Sequence, residues 1–145
     1  MRAPPAPMPR AKRASLGVAL IARDAEATLG HCLRSFRSYV EQVVVCVDEQ
    51  TTDRTAEIAR RAGAQVHPIQ VSDWHECPEH GRVLAQHFAR ARNESFTWLD
   101  KGLDWWLWVD SDDFVRGAEH LPQICATARE QAELVGIWLP YHYAT

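Results

Sequence analysis

Three aspartates lie within four residues, directly after an apolar segment of the sequence. Asp110, Asp112 and Asp113 follow the run DWWLWV and are interrupted only by Ser111. Carboxylates this close repel each other unless a cation lies among them. Hard divalent cations such as Mg²⁺ and Mn²⁺ prefer oxygen ligands and often bind one or two carboxylates together with substrate phosphates. The spacing therefore favours a divalent-metal site that handles phosphates, and a solvated acidic turn is the weaker alternative.

A further carboxylate, Asp48, ends the apolar run QVVVCV. Such a carboxylate can accept hydrogen bonds from a nucleotide base or a ribose hydroxyl. It could instead cap the next helix, but Thr52 and Asp53 are sufficient for that role. The sequence contains neither G-x-G-x-x-G nor G-x-x-x-x-G-K-[ST], so it lacks the glycine-rich phosphate loops of dinucleotide-binding and P-loop enzymes. Neutralisation of phosphates would then depend on the metal.

Four side chains that can bind zinc, His75, Cys77, His80 and His87, lie close together in the sequence. Their pattern, H-x-C-x2-H-x6-H, matches no common zinc motif. Pro78 also interrupts any H-E-x-x-H helix. We therefore expect a mobile loop on the substrate side here, and a zinc site is the weaker alternative.

Two arginines, Arg90 and Arg92, occur in a segment with helical periodicity. Residues two apart point to different sides of a helix, so at most one of them can face a given site. Solvated surface charge is an equal alternative for both.

Strand-like and helical patterns alternate along the chain. Short apolar runs without a helical period predict strands, and apolar residues at a spacing of three and four predict helices. The predicted strands are 15–22, 42–47, 65–69, 104–109 and 136–143; the predicted helices are 25–39, a segment from Thr52 or Asp53 to Gly63, 82–99 and 122–133, with a loop at 70–81.

This alternation predicts an α/β fold with a mostly parallel sheet flanked by helices and joined by right-handed crossovers. Ligands of such sheets bind beyond the carboxyl ends of the strands. Three polar clusters follow predicted strands there: Arg23-Asp24, Asp48 with its turn, and Asp110 to Asp113. We expect them to form one site.

Charge is unevenly distributed over the 145 residues, a length typical of one domain. Residues 1–15 carry four basic residues, no acidic ones and four of the eight prolines, so the remaining chain has a formal charge of −7 against −3 overall. The acidic remainder argues against binding to nucleic acid, which needs clustered Lys and Arg. We predict a disordered lead-in at 1–14 and one domain at 15–145.

No apolar run approaches the roughly 20 residues of a membrane-spanning helix, and the N-terminus lacks the apolar stretch of a signal peptide. The four cysteines form no C-x-x-C pair, which favours reduced thiols and a cytoplasmic location.

We expect Trp98, Trp105, Trp106 and Trp108 to lie in the core. Trp74 and Trp138 are freer to line a pocket.

The placed motifs resemble the family 2 glycosyltransferases of the GT-A fold over about residues 15–125. LIARDAEATLGHCLRS occupies the place of the family's first strand and polar turn, with Asp24 where Asn is usual. VDEQTTDRT resembles the motif D-x-G-S-x-D-x-T, with Gln50 in place of Gly. Ala91-Arg92-Asn93 resembles the family's A-R-N element, and WLWVDSDD resembles its aspartate-any-aspartate (DXD) motif.

The resemblance implies an inverting glycosyltransferase with a Rossmann-like GT-A nucleotide-binding domain. It further implies a nucleotide-sugar donor, with UDP as the first choice, and Mn²⁺ or Mg²⁺ as the cofactor. Asp48 would recognise the base, and Asp110 the ribose or donor sugar. Asp112 would bind the metal, with Asp110 and Asp113 as lesser candidates. The other donor-binding positions implied are Ala22, Asp24 and Arg92.

In this family the general base that activates the hydroxyl acceptor lies well downstream of the aspartate motif. Glu119, Glu130 and Glu133 follow the motif too closely or lie on a helix, so no general base is assigned. The resemblance thus implies a donor-binding half, with the acceptor half supplied by a C-terminal segment or a partner chain. Two alternatives stay open: a non-catalytic nucleotide-binding or assembly module of the same fold, and another metal-dependent nucleotide enzyme such as a nucleotidyltransferase. The latter usually has a glycine- and lysine-rich loop where this chain has Arg23 to Glu26.

Overall fold

The computed structural model of the chain describes residues 13–130, 136 and 139–140. These residues form six strands and four α-helices, with single 3₁₀ turns after α1 and before α4. In chain order the elements are β1 (Leu16–Ala22), α1 (Leu29–Phe36), β2 (Gln42–Asp48), α2 (Thr55–Arg61), β3 (Gln65–Ile69), β4 (Ser72–Cys77), β5 (Gly81–Gln86), α3 (Phe88–Thr97), β6 (Trp105–Trp108) and α4 (Leu121–Arg129).

Four of the strands form a parallel sheet in the order β3-β2-β1-β6. The register pairs Ala22 of β1 with Val47 of β2 on one side, and Ala19 of β1 with Trp108 of β6 on the other. All four strands therefore end on the same side, which we call the carboxyl end of the sheet. The predicted α/β fold with a parallel sheet flanked by helices is confirmed.

The continuous apolarity of β2 reflects burial of both faces of the sheet. Val43, Val45 and Val47 pack in one core cluster with the apolar side of α1. Val44 and Cys46, which point the opposite way, pack in a second cluster with Ala91 of α3. Side chains alternate along a strand, so a strand covered on both faces must be apolar at every position.

Three predicted helices, now α1, α2 and α4, are confirmed with shorter bounds. The periodic apolar residues of α1 are all buried, from Leu29 to Phe36. Gly63, predicted to stop α2, has a φ of 77°, a left-handed conformation that favours glycine. The predicted strand 136–143 and the lead-in 1–14 fall largely outside the described residues.

The segment between β3 and α3 differs from the sequence prediction. The predicted loop 70–81 and the first part of the predicted helix 82–99 are an antiparallel hairpin of β4 and β5, and α3 begins only at Phe88. The alternation of half-buried Val83 and Ala85 with exposed neighbours is a strand period, and it overrides the helical spacing. Gly81, with a φ of 69°, supplies the left-handed residue that closes the turn.

The prediction that the tryptophan cluster lies in the core is wrong for three of its four members. The exposed fractions of Trp98, Trp106 and Trp108 are 45%, 44% and 39%, whereas Trp105 is half-buried against the core. In the described part of the chain β6 pairs only with β1, so one side of this strand has no neighbouring strand. An apolar side chain at such an edge remains partly exposed.

Among the described residues, every helix is too short or too polar to span a bilayer.

Two loops at the carboxyl end of the sheet, residues 23–28 and 49–54, are held together by hydrogen bonds. The hydroxyl of Thr55, which is fully buried, accepts from the backbone N–H of Ala25 at 2.8 Å and donates to Asp53. The other oxygen of Asp53 accepts from the N–H of Glu26 at 2.9 Å. Thr55 therefore fixes the relative position of the loops that follow β1 and β2.

We predict that Thr55→Val lowers the free energy of unfolding by about 1–3 kcal/mol, because it leaves the buried N–H of Ala25 without an acceptor. Urea denaturation followed by circular dichroism measures this difference. Thr97→Val is the matched control, since this hydroxyl is exposed and bonds only to the carbonyl of Glu94 within α3. The control should change stability by no more than about 0.5 kcal/mol. Equal losses in the two variants would contradict a loop-joining role for Thr55.

Candidate functional site

The three predicted polar clusters follow neighbouring strands at the carboxyl end of the sheet. Asp48 lies one residue beyond the Ala22–Val47 pair, and Asp110 lies two residues beyond the Ala19–Trp108 pair. β2 and β6 flank β1, so the ends of these strands are two strand spacings, or roughly 10 Å, apart. A ligand that contacts both carboxylates must therefore be extended.

Asp48 is a buried carboxylate with one oxygen left without a hydrogen bond. The residue is 2% exposed, and its Oδ1 accepts from the N–H of Gln50 at 3.2 Å. Its Oδ2 is buried and has no hydrogen-bond partner among the described residues. Only the guanidinium of Arg23 approaches it, with Nη1 at 3.8 Å. This oxygen is an acceptor that a ligand N–H or O–H could use in place of Arg23.

Asp24 joins the loop after β1 to the loop after β2. Its φ is 45°, a left-handed conformation that Asn and Asp tolerate better than other residues with a Cβ. Its Oδ1 accepts from the backbone N–H of Thr52 at 2.8 Å and thereby adds to the contacts between the two loops.

Gln50 is not among the described residues with a positive φ, so its backbone needs no glycine. Ala22 is buried at the end of β1, directly beside β2.

The acidic turn after β6 is held in place by its own backbone and by α1. The N–H of Asp110 donates to Oδ2 of Asp113 at 3.1 Å, and the N–H of Asp113 donates to the carbonyl of Asp110 at 3.1 Å. The thiol of Cys32 on α1 donates to the same carbonyl at 3.3 Å. Asp110 and Asp113 are half-buried, whereas Asp112 is exposed. The turn thus presents Asp112 to solvent beside a fixed Asp110.

Burial, together with the crowding of negative charge, shifts two pKa values at this turn. Burial raises the pKa of Asp110 above its usual 3.8; Asp113 raises it further, Arg92 lowers it, and Asp112 adds a smaller increase. Burial, with contributions from the same three aspartates, raises the pKa of the Cys32 thiol to about 12. Cys32 is therefore a neutral thiol.

Arg92 is the arginine of α3 that faces this site. Its guanidinium lies 3.4 Å from the centre of the Trp108 ring, and its Nε is buried without a hydrogen-bond partner in the described part of the chain. Arg90 points elsewhere, with Nη1 3.6 Å from Oδ2 of Asp73. The expectation that only one of the two arginines can face the site agrees with this geometry.

A cation at the acidic turn would be bound only in part by protein. Among the described residues, the one group of three acidic, His or Cys side chains with ligand atoms within 4.8 Å of one another is elsewhere, at Asp73, His75 and His87. The turn therefore offers a cation at most two carboxylates at one point. This is the donor set of Mg²⁺ or Mn²⁺ sites that substrate phosphates complete.

The sequence pattern predicted His75 and His87 as possible metal ligands but did not identify Asp73. Residues two apart on a strand point to the same face, so the spacing D-x-H in β4 is the signal that could have identified it. Cys77 and His80 lie apart from this group, with Sγ and Nδ1 3.5 Å from each other.

Comparisons with known proteins identify the fold. No profile of a protein family matches the chain. It is 31% identical over 103 residues to a TPR repeat-containing protein of Synechococcus elongatus, a match that covers 71% of this chain and 22% of that protein. TarS of S. aureus, solved in complex with UDP, has a TM-score of 0.57 and 18% identity, covering 88% of this chain and 38% of that chain. The similarity to TarS confirms the Rossmann-like GT-A fold.

Glucosyl-3-phosphoglycerate synthase of Mycobacterium tuberculosis, solved with Mn²⁺, UDP and glucosyl-3-phosphoglycerate, matches with a TM-score of 0.45 and 20% identity. That match covers 68% of this chain and 33% of the synthase chain. The chain thus spans less than two fifths of each of these proteins.

We predict that Asp110→Asn stabilises the metal-free chain at neutral pH, because it removes a charge whose ionisation burial and the other two aspartates oppose. The gain should be full above the raised pKa of Asp110 and should vanish as the pH falls below its usual 3.8. Urea denaturation in EDTA at pH 7 and at successively lower pH measures it. Asp112→Asn, at an exposed position, should give a smaller gain. A destabilised Asp110→Asn variant at pH 7 would contradict this account of the charge.

Proposed function

We propose that the chain is the nucleotide-sugar-binding part of a glycosyltransferase similar to family 2, with a UDP-sugar as donor and a divalent metal at Asp110 to Asp113. The observation that carries this proposal is the position of two kinds of carboxylate on one GT-A sheet. Asp48, whose buried Oδ2 has no hydrogen-bond partner among the described residues, is the last residue of β2, and the acidic turn follows β6. The similarity of the fold to TarS, which was solved with UDP, supports the proposal.

In this proposal Asp48 recognises the base. Its Oδ2 is buried beside Arg23, whose side chain is 41% exposed and so has room to move. An N–H of the base would take the position of the guanidinium and satisfy the oxygen. A neutral base with an N–H next to a carbonyl, as in uracil, meets this requirement. Ala22 and Asp24 would border the nucleoside.

The acidic turn would bind the metal and, through it, the diphosphate. Asp112 is the proposed main metal ligand because it is exposed. Asp110 would contact the ribose or donor sugar. Asp110 and Asp113 would be the lesser metal ligands. A bound divalent cation stabilises negative charge on a departing nucleoside diphosphate. Arg92, already near Asp110, would add positive charge on the same side of the turn.

The loop after β1, residues 23–28, argues against a nucleotidyltransferase. The loop after β1 carries Asp24 and Glu26, which bond to the backbone of Thr52 and Arg54. Such a loop offers carboxylates where a phosphate-binding loop needs N–H groups or cations. The proposed metal site after β6 is therefore the place for the phosphates.

No general base for an acceptor hydroxyl is assigned. Glu119 is exposed and pairs with His120 at 3.5 Å, and Glu130 is exposed at the end of α4. Glu133 lies outside the described residues. We propose that a C-terminal segment or a partner chain supplies the acceptor half. A non-catalytic nucleotide-binding module of the same fold is the second candidate, and turnover separates the two.

We predict that UDP binds the 145-residue chain in the presence of Mn²⁺ and that EDTA abolishes binding, because the acidic turn repels phosphates without a cation. Isothermal titration calorimetry measures the affinity. Asp112→Asn should weaken Mn²⁺-dependent binding at least about tenfold. Asp48→Asn should instead reduce the preference for UDP over CDP, because an amide no longer presents two acceptor oxygens to the base.

Asp100→Asn is the matched control, since Asp100 precedes β6 and lies away from the carboxyl end of the sheet. It should bind UDP as the parent chain does. If UDP binds equally well with Mn²⁺ and with EDTA, or if Asp112→Asn binds as the parent does, the metal assignment is wrong.

We further predict that this chain alone releases UDP from UDP-sugars only slowly and without a response to acceptors. A general base contributes about 10²–10⁴-fold, and positioning of an acceptor contributes roughly 7–11 kcal/mol of the barrier. A coupled assay of UDP release with Mn²⁺, with and without sugar and lipid acceptors, tests this. Rapid turnover that depends on an acceptor would contradict the donor-half proposal. No release above the Asp112→Asn background would favour the non-catalytic module.

A further inference from the structure

Three side chains of the β4–β5 hairpin and the start of α3 meet at one point, apart from the acidic turn. Nε2 of His75 and Nε2 of His87 lie 2.6 Å and 2.8 Å from the same oxygen, Oδ1 of Asp73. The two nitrogens lie 3.1 Å from each other. The three atoms thus form a closed triangle with sides of 2.6–3.1 Å.

Hydrogen bonds alone do not account for this triangle. A carboxylate only accepts, so each imidazole would have to point an Nε2–H at Oδ1. Neither nitrogen would then offer a lone pair to the other, and two N–H groups would lie side by side at 3.1 Å. A cation that accepts one lone pair from Oδ1 of Asp73 and one from each Nε2 would satisfy all three atoms. Neighbouring ligands of a metal ion at about 2.1 Å are about 3.0–3.4 Å apart. The 3.1 Å between the two nitrogens lies in this range, and the 2.6 Å and 2.8 Å to Oδ1 are shorter than its lower end.

The hairpin builds this arrangement from its strand alternation. Asp73 and His75 point to the same face of β4, opposite Ala85 and Val83 of β5 respectively. His87 continues the alternation of β5 just before α3 begins, and its backbone N–H donates to the carbonyl of Val71 at 2.7 Å. Small and medium side chains opposite the ligands leave space between them. The group therefore joins the hairpin to the first turn of α3.

Arg90 orients the carboxylate of Asp73. Nη1 of Arg90 lies 3.6 Å from Oδ2, and its Nη2 donates to the carbonyl of Gln70 at 3.5 Å. Oδ2 therefore faces Arg90, while Oδ1 faces the two histidines. Such outer contacts are typical of carboxylates that bind metals.

We propose that Asp73, His75 and His87 form a binding site for a divalent first-row transition-metal ion, with Zn²⁺ as the ion to test. Two imidazoles with one carboxylate suit zinc or iron better than Mg²⁺, which prefers oxygen ligands. The side chains of His75, His87 and Asp73 are 50%, 32% and 30% exposed, so coordination positions remain open toward solvent. This site differs from the acidic turn in its residues and in the class of ion it selects.

The test is calorimetric titration of Zn²⁺ into the EDTA-treated and dialysed 145-residue chain in a buffer with excess Mg²⁺, which occupies sites made of oxygen ligands. The parent chain should bind one Zn²⁺. His75→Ala, His87→Ala and Asp73→Asn should each weaken that binding at least about tenfold. Co²⁺ in place of Zn²⁺ should give a visible absorption band in the parent chain that the three variants lack.

Two controls separate this site from its neighbours. His80→Ala removes a histidine of the same hairpin that contacts Cys77, and Asp112→Asn alters the acidic turn. Both should bind Zn²⁺ as the parent does, and His75→Ala should retain Mn²⁺-dependent UDP binding. Circular dichroism and urea denaturation in EDTA establish that each variant folds.

Three results would overturn the site. They are no stoichiometric Zn²⁺ binding by the parent chain, equal binding by the parent and the folded His75→Ala and Asp73→Asn variants, or a loss in His80→Ala as large as in His75→Ala. None of these results bears on the proposed nucleotide site, because UDP binding is measured separately on the same proteins.

Discussion

Burial of both faces of strands β1 and β2 is the constraint on which the rest of the structure depends. Alternate residues of β2 pack toward α1 and α3, and both helices must therefore cross from one end of the sheet to the other. These crossovers make the strands parallel, and parallel strands end together. The loops that follow the strands therefore meet at that end. Asp48, the last residue of β2, and the acidic turn after β6 lie there because the strands that carry them are parallel.

Carboxylates crowd the carboxyl end of the sheet. Among the described residues, Oδ2 of the buried Asp48 has no hydrogen-bond partner, and burial together with neighbouring aspartates raises the pKa of both Asp110 and Cys32. Arg23 stays 3.8 Å from Asp48, and Arg92 lies against Trp108. A bound divalent cation would add positive charge beside the acidic turn, and an N–H of a base would give Asp48 a hydrogen-bond donor. This complementarity is the physical basis of the proposed donor site.

Periodic segments were predictable from the sequence, and segments with competing patterns were not. The apolar run of β2 and the 3.6-residue stripe of α1 each allow one interpretation, and the structure confirms both. Residues 81–88 have a strand period in Val83 and Ala85 and a helical spacing in Leu84 and Phe88, and pairing with β4 decides between them. Sequence patterns also do not reveal which strand lies at an edge, so the exposure of Trp106 was missed.

The location of the candidate residues at the end of the sheet was predictable from their positions in the chain. Their burial and their contacts were not, because these depend on tertiary structure. Asp48 and Asp110 could be placed because strands of a parallel sheet end together. The burial of Asp48 and the approach of Arg23 to it are tertiary features that no sequence motif specifies. The meeting of Asp73 with His75 and His87 depends on a hairpin whose register no motif specifies.

We propose that one ligand contacts both Asp48 at the end of β2 and the acidic turn after β6. Amide chemical-shift titration of the ¹⁵N-labelled chain with UDP and Mg²⁺ tests this proposal, because it reports on both segments in a single experiment. We expect the amides of residues 48–52 and those of 110–113 to shift together, with the same half-saturation concentration of UDP. Shifts at only one of these two segments, or at both with different half-saturation concentrations, would contradict it.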